Sequence, residues 1–349
     1  MAFEVQHKDD IQNRMKEQYK KEAGQTVIEG GLARNAINAN SLEFENTYLE
    51  MNMMIEAVFI DTSWGIYLTM KCAEHGVDRK PATYAIGEVT FTGEKNRMIP
   101  AGTIVAVPGG NTYTTDEEAN TGEEGQATVA ITCTQTGAGG NVAAGLISHI
   151  PSSVPGIVSV TNKEEINDGY DEESDDALKQ RYAIFIRTPA TSGNKYHYYN
   201  WAMEVAGVGD CRVSPLWAGP GTVKVMIVDS NGNKASNNLI QTVFNNIENK
   251  RPVGPEITVI SPNVVEVTIA LSVLGTLNTE LLTNEITAHI LKKGLDLRYL
   301  SEEQVVGMIM SQSSVEDCDN LTLNGQKKIY IGAEEIIRIK EVVLNEYIP

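Results

Sequence analysis

The periodicity of the chain changes at Tyr84, and no single layer of one secondary-structure type can satisfy both sides of that change. Before it, from residue 32 to about 72, apolar residues return at helical intervals. Ile37, Phe44, Met51 and Val58 recur every seven residues, Tyr48 and Ile55 fall at the complementary position, and Ser41 is the polar exception. After it, segments 88–92, 103–107 and 127–132 alternate apolar with polar side chains, separated by Gly- and Pro-containing turns at 93–96 and 108–111 and by a Gly-rich turn at 136–141. Gly76 and Pro81 sit at the changeover. A helical segment over residues 1–80 and a small antiparallel sandwich or barrel over 81–157 are therefore expected as separate units. A chain of 349 residues has room for two to four cores.

The N-terminal 30 residues are highly charged, with a short helix expected over about 9–21, where Ile11, Met15 and Tyr19 stand four apart. Gly30-Gly31 separates it from the long helix expected over 32–72. That helix is apolar on more than one side, because Leu42, Leu49, Met54 and Phe59 add a second stripe to the heptad seam. Such a helix belongs either to a private bundle or to one completed by partner chains. Supply favours partners: the segment offers few other apolar helices, and each large side chain left in water forgoes roughly 1.5–3 kcal/mol. Ile37, Phe44, Tyr48, Met51, Ile55, Val58 and Phe59 are the expected partner-helix interface.

Beyond residue 157 the pattern becomes mixed. An acidic run at 171–176, read as solvated, precedes an amphipathic helix with Leu178, Tyr182, Phe185 and Ile186 on one face, which Pro189 should end before a turn at Ser192-Gly193. A second helix carries Tyr196 to Val205, followed by strands at 211–217 and 222–228, a helix over 236–249 and a strand over 256–260. This ααββαβ order gives an α+β domain with a mixed sheet over 158–262. The last stretch, 263–349, reads as another α+β domain. It has a strand at 264–274, a helix at 279–293, a capping box at Ser301 and Gln304 opening a further helix, and strands near 321, 328–331 and 336–344. The expected fold class is α+β multidomain.

The chemistry-bearing residues form no recognisable catalytic or cofactor constellation. Cys72, Cys133, Cys211 and Cys318 are scattered singly, and the five histidines never fall in a metalloprotease spacing. The loop Asp229-Ser230-Asn231-Gly232-Asn233 places its Gly fourth and Ile240 twelfth, which is wrong for an EF-hand and right for a turn. The acids at 168–176 could hold a hard cation, but carboxylates also suit the positive end of the helix that follows. His197 lies among Tyr196, Tyr198, Tyr199 and Trp201, read as a packed helix face. No cofactor and no metal are expected. With 46 acidic against 28 basic residues the chain is a poor partner for a phosphate backbone or an anionic membrane, and no apolar run is long enough to insert into one. The polar N-terminus lacks a signal-peptide core, so the chain is expected in the cytoplasm unless a larger particle carries it out.

Three words of the middle stretch are specific: GYDEESDDALKQRY, TSGNKYHYYNWAMEVAGVGDCRV and GPGTVKV. With PATYAIGEVTFTG, IPAGTIV and GNVAAG upstream, they run from about Pro81 to Val225 in one order. This part of the chain resembles the baseplate J-like family of contractile phage tails and tail-derived bacteriocins; the first 80 residues and the last third agree only in general character. The resemblance implies a non-enzymatic baseplate wedge subunit, made in the bacterial cytoplasm and retained in the particle's baseplate. In that family two copies join a second wedge protein through a helical bundle. Six wedges ring the central hub and spike, linking sheath to fibres. The partners implied are a second copy of the chain, a second wedge protein, the hub and spike, and sheath-side baseplate proteins. The C-terminal domain is the expected site of self-association. The competing reading, a particle-borne cell-wall hydrolase, would require a catalytic constellation.

Overall fold

The computed structural model describes residues 4–188 and 193–345, so Pro189 and Ser192 lie outside the described residues. The chain divides into two compact units: residues 1–79 with 174–183, and residues 80–173 with 184–349.

The first unit is helical. Helix α1 (Lys8–Ala23) has Asp9 and Asp10 in its first turn and Lys20 and Lys21 in its last, which complements the helix dipole at both ends. It packs along α2 (Leu32–Val58). The helix expected to continue to Cys72 stops at Val58, and α3 (Gly65–Ala73) starts afresh. The cause is local. Thr62 and Ser63 turn their amides onto the Phe59 carbonyl, at 3.1 and 2.8 Å, and the Thr62 hydroxyl donates to the Glu56 carbonyl at 2.6 Å. Hydroxyl residues that satisfy helix-end carbonyls terminate helices. The Asp61-Thr62-Ser63 run was the sequence signal for this break.

The same unit takes in the first part of α4 (Asp175–Arg187), which the sequence placed with the middle domain. Leu178 is fully buried with Leu68, Cys72 and Val77, flanked by Ile60 and Tyr182. Polar contacts reinforce this core. Asp175 accepts the Gly65 amide at 2.8 Å and the Arg79 guanidinium at 2.5 Å. Lys179 donates to the Asp61 carbonyl at 3.0 Å, and Arg181 to the Asp78 carbonyl at 2.5 Å. The Gly65 amide first, and then the Arg79 guanidinium, hold the Asp175 carboxyl below its ordinary value.

The second unit contains three sub-structures. A five-stranded sheet has the order β3-β4-β6-β1-β7, with β1 (Tyr84–Gly93) at 84–93, a short β2 (Met98–Ile99), β3 (Ile104–Ala106), β4 (Thr112–Thr115), a short β5 (Ala119–Asn120) paired with β2, β6 (Gln126–Thr136) and β7 (Ile157–Thr161). All its pairings are antiparallel, and it curls into a nearly closed barrel around Val89, Phe91, Val105, Tyr113, Ile131 and Ile147. The boundary expected at residue 157 cuts β7. Thr90 to Thr92 of β1 pair with Ser159 to Thr161, so the barrel's sheet needs that strand.

The middle sub-structure puts α5 (Lys195–Met203) and α6 (Asn237–Lys250) against a sheet of order β10-β9-β8, formed by β8 (Val208–Pro215), β9 (Thr222–Asp229) and β10 (Glu256–Ile260). The β8–β9 pairing is antiparallel and β9–β10 parallel, giving the expected mixed sheet. Asn194 and Ser236 cap the two helices through their side-chain oxygens.

The C-terminal sub-structure orders β13 (Val315–Leu323), β11 (Asn263–Gly275) and β15 (Glu335–Asn345) with β11 central. It adds α7 (Thr279–Lys293), α8 (Glu302–Ile309) and a ribbon of β12 (Tyr299–Ser301) with β14 (Lys328–Tyr330). Alternate residues of β11, Val267, Ile269 and Leu271, are fully buried with Leu282, Ile286, Leu300, Val305 and Ile309. The capping box at α8 is present, the Gln304 side chain accepting the Ser301 amide at 3.0 Å. The α+β multidomain class expected from the sequence is the one observed.

Candidate functional site

The seven residues expected at the partner-helix interface divide by position along α2. Ile37 is buried, as is Ser41, on the half of the helix along which α1 packs. Glu45 marks the end of that cover: its carboxylate accepts the Lys8 amide at 3.1 Å and contacts His7 at 3.2 Å, and the Lys8 amide is the largest cause holding its pKa down. Ser41 fits the buried position because its hydroxyl donates to the Asn38 carbonyl at 2.9 Å, so no polar group is left open there.

Beyond Glu45 the cover ends. Phe44, just before Glu45, is already exposed, and past it Tyr48 is half-buried while Met51, Ile55, Val58 and Phe59 are exposed, from 40% at Ile55 to 62% at Phe59. Leu42, Leu49 and Met54 of the second stripe are exposed as well, along with Met53. The apolar surface continues past the break, where α3 buries Leu68 and Cys72 but leaves Ile66, Tyr67 and Met70 open. Scattered apolar residues are ordinary on a protein surface, but a run following one helix into the next is the signature of a binding surface. Its methionines are flexible and polarisable, suited to packing against a partner helix.

The acidic stretch is not merely solvated. Its members clamp separate elements. Asp168, with a backbone φ of 68°, accepts the Ser236 hydroxyl at 2.6 Å and the Asn238 amide at 3.1 Å, while its carbonyl accepts from Thr83 at 2.5 Å. Asp171 accepts the Ala138 amide at 2.9 Å. Glu173 is tied to Lys80 twice, its carboxylate accepting the Lys80 amide at 3.2 Å and its own amide donating to the Lys80 carbonyl at 3.0 Å. Asn141 brackets Gly169 from both sides, at 2.9 and 2.8 Å. The motif words GNVAAG and GYDEESDD thus meet in space, as a strap joining barrel and middle sheet. Gly207 of the word VAGVGD has a φ of 90° and sits on the Tyr170 ring, where any Cβ would collide. Burial, reinforced by Asp168 and Asp229, pushes the Tyr170 hydroxyl far up.

Among the described residues no group of three or more His, Cys, Asp and Glu side chains could hold a metal ion. Asp229 accepts the Asn231 and Asn233 amides at 2.9 and 2.7 Å, so the loop it opens is a turn. His197 stacks on Trp201 at 5.0 Å, Tyr198 meets the same ring edge-on at 5.2 Å, and His197 accepts the Gly193 amide at 2.9 Å; the aromatic group is a packed helix face. Cys72, Cys133 and Cys211 are buried and Cys318 is partly exposed, and none of the four is in a disulfide. Among the described residues no helix is long and apolar enough to cross a membrane. Treatment with a strong chelator is expected to leave the melting temperature unchanged; calorimetry showing a fall of many degrees would place a structural metal in the fold.

The described residues thus hold a curled antiparallel barrel, a mixed α+β middle sheet and, in the helical unit, an exposed apolar face. The family models agree in the first two parts. The barrel domain of baseplate J-like protein matches residues 88–169, and the baseplate J-like central domain matches residues 190–261. The phage-like element PBSX protein XkdT of Bacillus subtilis (strain 168) is 31% identical over 335 residues, covering 91% of this chain and 92% of its own. The chain belongs to the baseplate J-like family. Baseplate protein gp47 of Escherichia phage Mu is 32% identical over 161 residues, 46% of this chain and 45% of its own. The cryo-EM structure of the anti-feeding prophage baseplate aligns over 95% of this chain and 89% of its own, at 12% identity and a TM-score of 0.38.

Proposed function

We propose that the chain is a wedge subunit of a contractile-tail baseplate, holding partners in place rather than catalysing a reaction. It joins wedges into a ring around the central hub and spike and links that ring to sheath and fibres. The observation that carries this reading is the uncovered apolar face running from Leu42 in α2 to Met70 in α3. Two stripes on one helix call for partner helices on more than one side. A second copy of the chain and a helix from a second wedge protein fit that requirement. Each helix that docks removes apolar surface from water at roughly 25 cal/mol per Å².

Self-association is assigned to the C-terminal sub-structure. Strand β15 lies at the edge of its sheet, and Val343 and Leu344 at its end are exposed. An unpaired edge with apolar side chains is a template for a second strand. Assembly takes place in the bacterial cytoplasm, before the finished baseplate leaves with its particle, and involves neither nucleic acid nor membrane insertion. The test is co-expression with the adjacent tail genes followed by native mass spectrometry. A complex with two copies of this chain and one second protein is expected. Recovery of monomer alone, or a murein-degrading activity that survives repurification, would overturn the reading.

A further inference from the structure

The middle and C-terminal sub-structures meet along a seam with two kinds of contact. Met226 and Val228 of β9 are buried with Leu295 and Ile336, flanked by Ile260 and Val264, in a small apolar cluster separate from either main core. Polar groups cross beside it. Arg212 donates to the Ala333 carbonyl at 2.7 Å, Lys224 pairs with Glu334, and Asp210 of β8 accepts the Leu295 amide at 3.0 Å. The other carboxylate oxygen of Asp210 accepts the Cys211 amide at 2.8 Å, so both oxygens are fixed in direction.

The approach at Asp210 is close. Gly294, at a φ of 52°, lies against this carboxylate so tightly that a Cβ would overlap its oxygen. Next to the contact is a cavity of about 170 Å³, bordered by Asp210, Asp229, Gly232, Leu291 and Gly294. The seam is thus incompletely filled at the point where the Asp210 carboxylate accepts the Leu295 amide across it.

We propose that the middle and C-terminal domains turn as one body, latched through Asp210, whose carboxyl group holds the Leu295 amide across the seam. The hold depends on protonation. Burial is the largest influence on Asp210 and raises its pKa above the ordinary carboxylate value, the Leu295 and Cys211 amides opposing it. The ionisable groups facing Asp210 are Asp296 on the turn, Arg212 and Cys211 on its own strand, and Tyr199 on α5. Asp229, also raised by burial, faces Arg338 of β15 and Tyr170 of the strap. A carboxyl whose folded pKa lies above its unfolded one contributes stability that is fully present below the unfolded value and is lost as pH rises through the folded value. Docking of the seam is therefore favoured below the ordinary carboxylate value, where burial of a neutral Asp210 costs least, and weakens as pH rises through its raised one. The wedge assignment plays no part in this argument.

The test uses the full chain with Cys318→Ser and spin labels at Gln241→Cys on α6 and Glu280→Cys on α7, both exposed positions. Distance distributions are read at about pH 7.5 and about pH 5. The unsubstituted latch should give one population that narrows in acid. Asp210→Asn keeps one carbonyl oxygen for the Leu295 amide and removes the titrating group, and should give the same distribution at both pH values. Asp210→Ala should be broad at both. A narrow Asp210→Ala distribution at neutral pH would overturn the proposal. So would an Asp210→Asn chain that responds to acid as the parent does, and this second outcome decides the matter even where the alanine chain fails to fold.

Discussion

Phe44→Asp and Ile55→Asp are each expected to abolish co-purification with the second wedge protein while leaving the unfolding of the isolated chain unchanged. Both side chains are 40–50% exposed in the chain alone, so a carboxylate at either position stays hydrated there. In an assembled bundle the same carboxylate would be buried without a partner, at a cost of several kcal/mol, enough to weaken association by orders of magnitude. Ile37→Asp supplies the contrast, because Ile37 is already buried in the single chain and its replacement should lower the melting temperature directly. The pairing of measurements is decisive. Normal co-purification of Phe44→Asp would show that α2 does not meet the partner. Loss of the melting transition would show that the face belongs to the chain's own core.

Leu178→Ala should lower the stability of the helical unit sharply. Leu178 is fully buried in a core with only three other buried members, Leu68, Cys72 and Val77, so the void it leaves has few neighbours to collapse into it. Leu-to-Ala changes at such sites cost about 2–5 kcal/mol. Because the barrel and the two C-terminal cores contain none of these residues, thermal unfolding should split, with an early helical transition followed by an unshifted later one. A single transition displaced as a whole would mean that the helical unit has no melting of its own.

The elements most legible in the sequence were those whose signals are local. The strand 256–260 and the helix 279–293 were expected with the bounds they have, because Pro255 and Asn278 punctuate them and their side-chain periods agree with the neighbouring turns. The capping box at Ser301 was readable for the same reason. What escaped depends on contacts distant in sequence. Leu178 reads as the apolar face of a middle-domain helix, since nothing in its own segment reveals that its neighbours are Leu68 and Cys72. The acids at 168–175 look solvated until the partner of each is known: Ser236, Ala138, the adjacent pair Arg79 and Lys80, and Gly65 come from four different stretches. Asn141 has no signal of its own beyond its place in a Gly-rich word. Heptad spacing marks the apolar stripe of α2, but only the packing of α1 shows that Ile37, in its first part, is covered within the chain.

The chain leaves the helical unit after Arg79 and re-enters it at Ser174, with the whole barrel in between. On the ribosome this imposes an order. The strands of the barrel are complete once Thr161 has emerged, whereas α3 must wait for Leu178, about a hundred residues after Cys72. At about 5–20 residues per second that delay is of the order of 5–20 s, during which α2 and α3 carry their apolar faces with no finished core beneath them. The insertion therefore makes the nascent N-terminal segment a customer for chaperones, or for a partner helix already synthesised nearby, before the rest of the molecule exists.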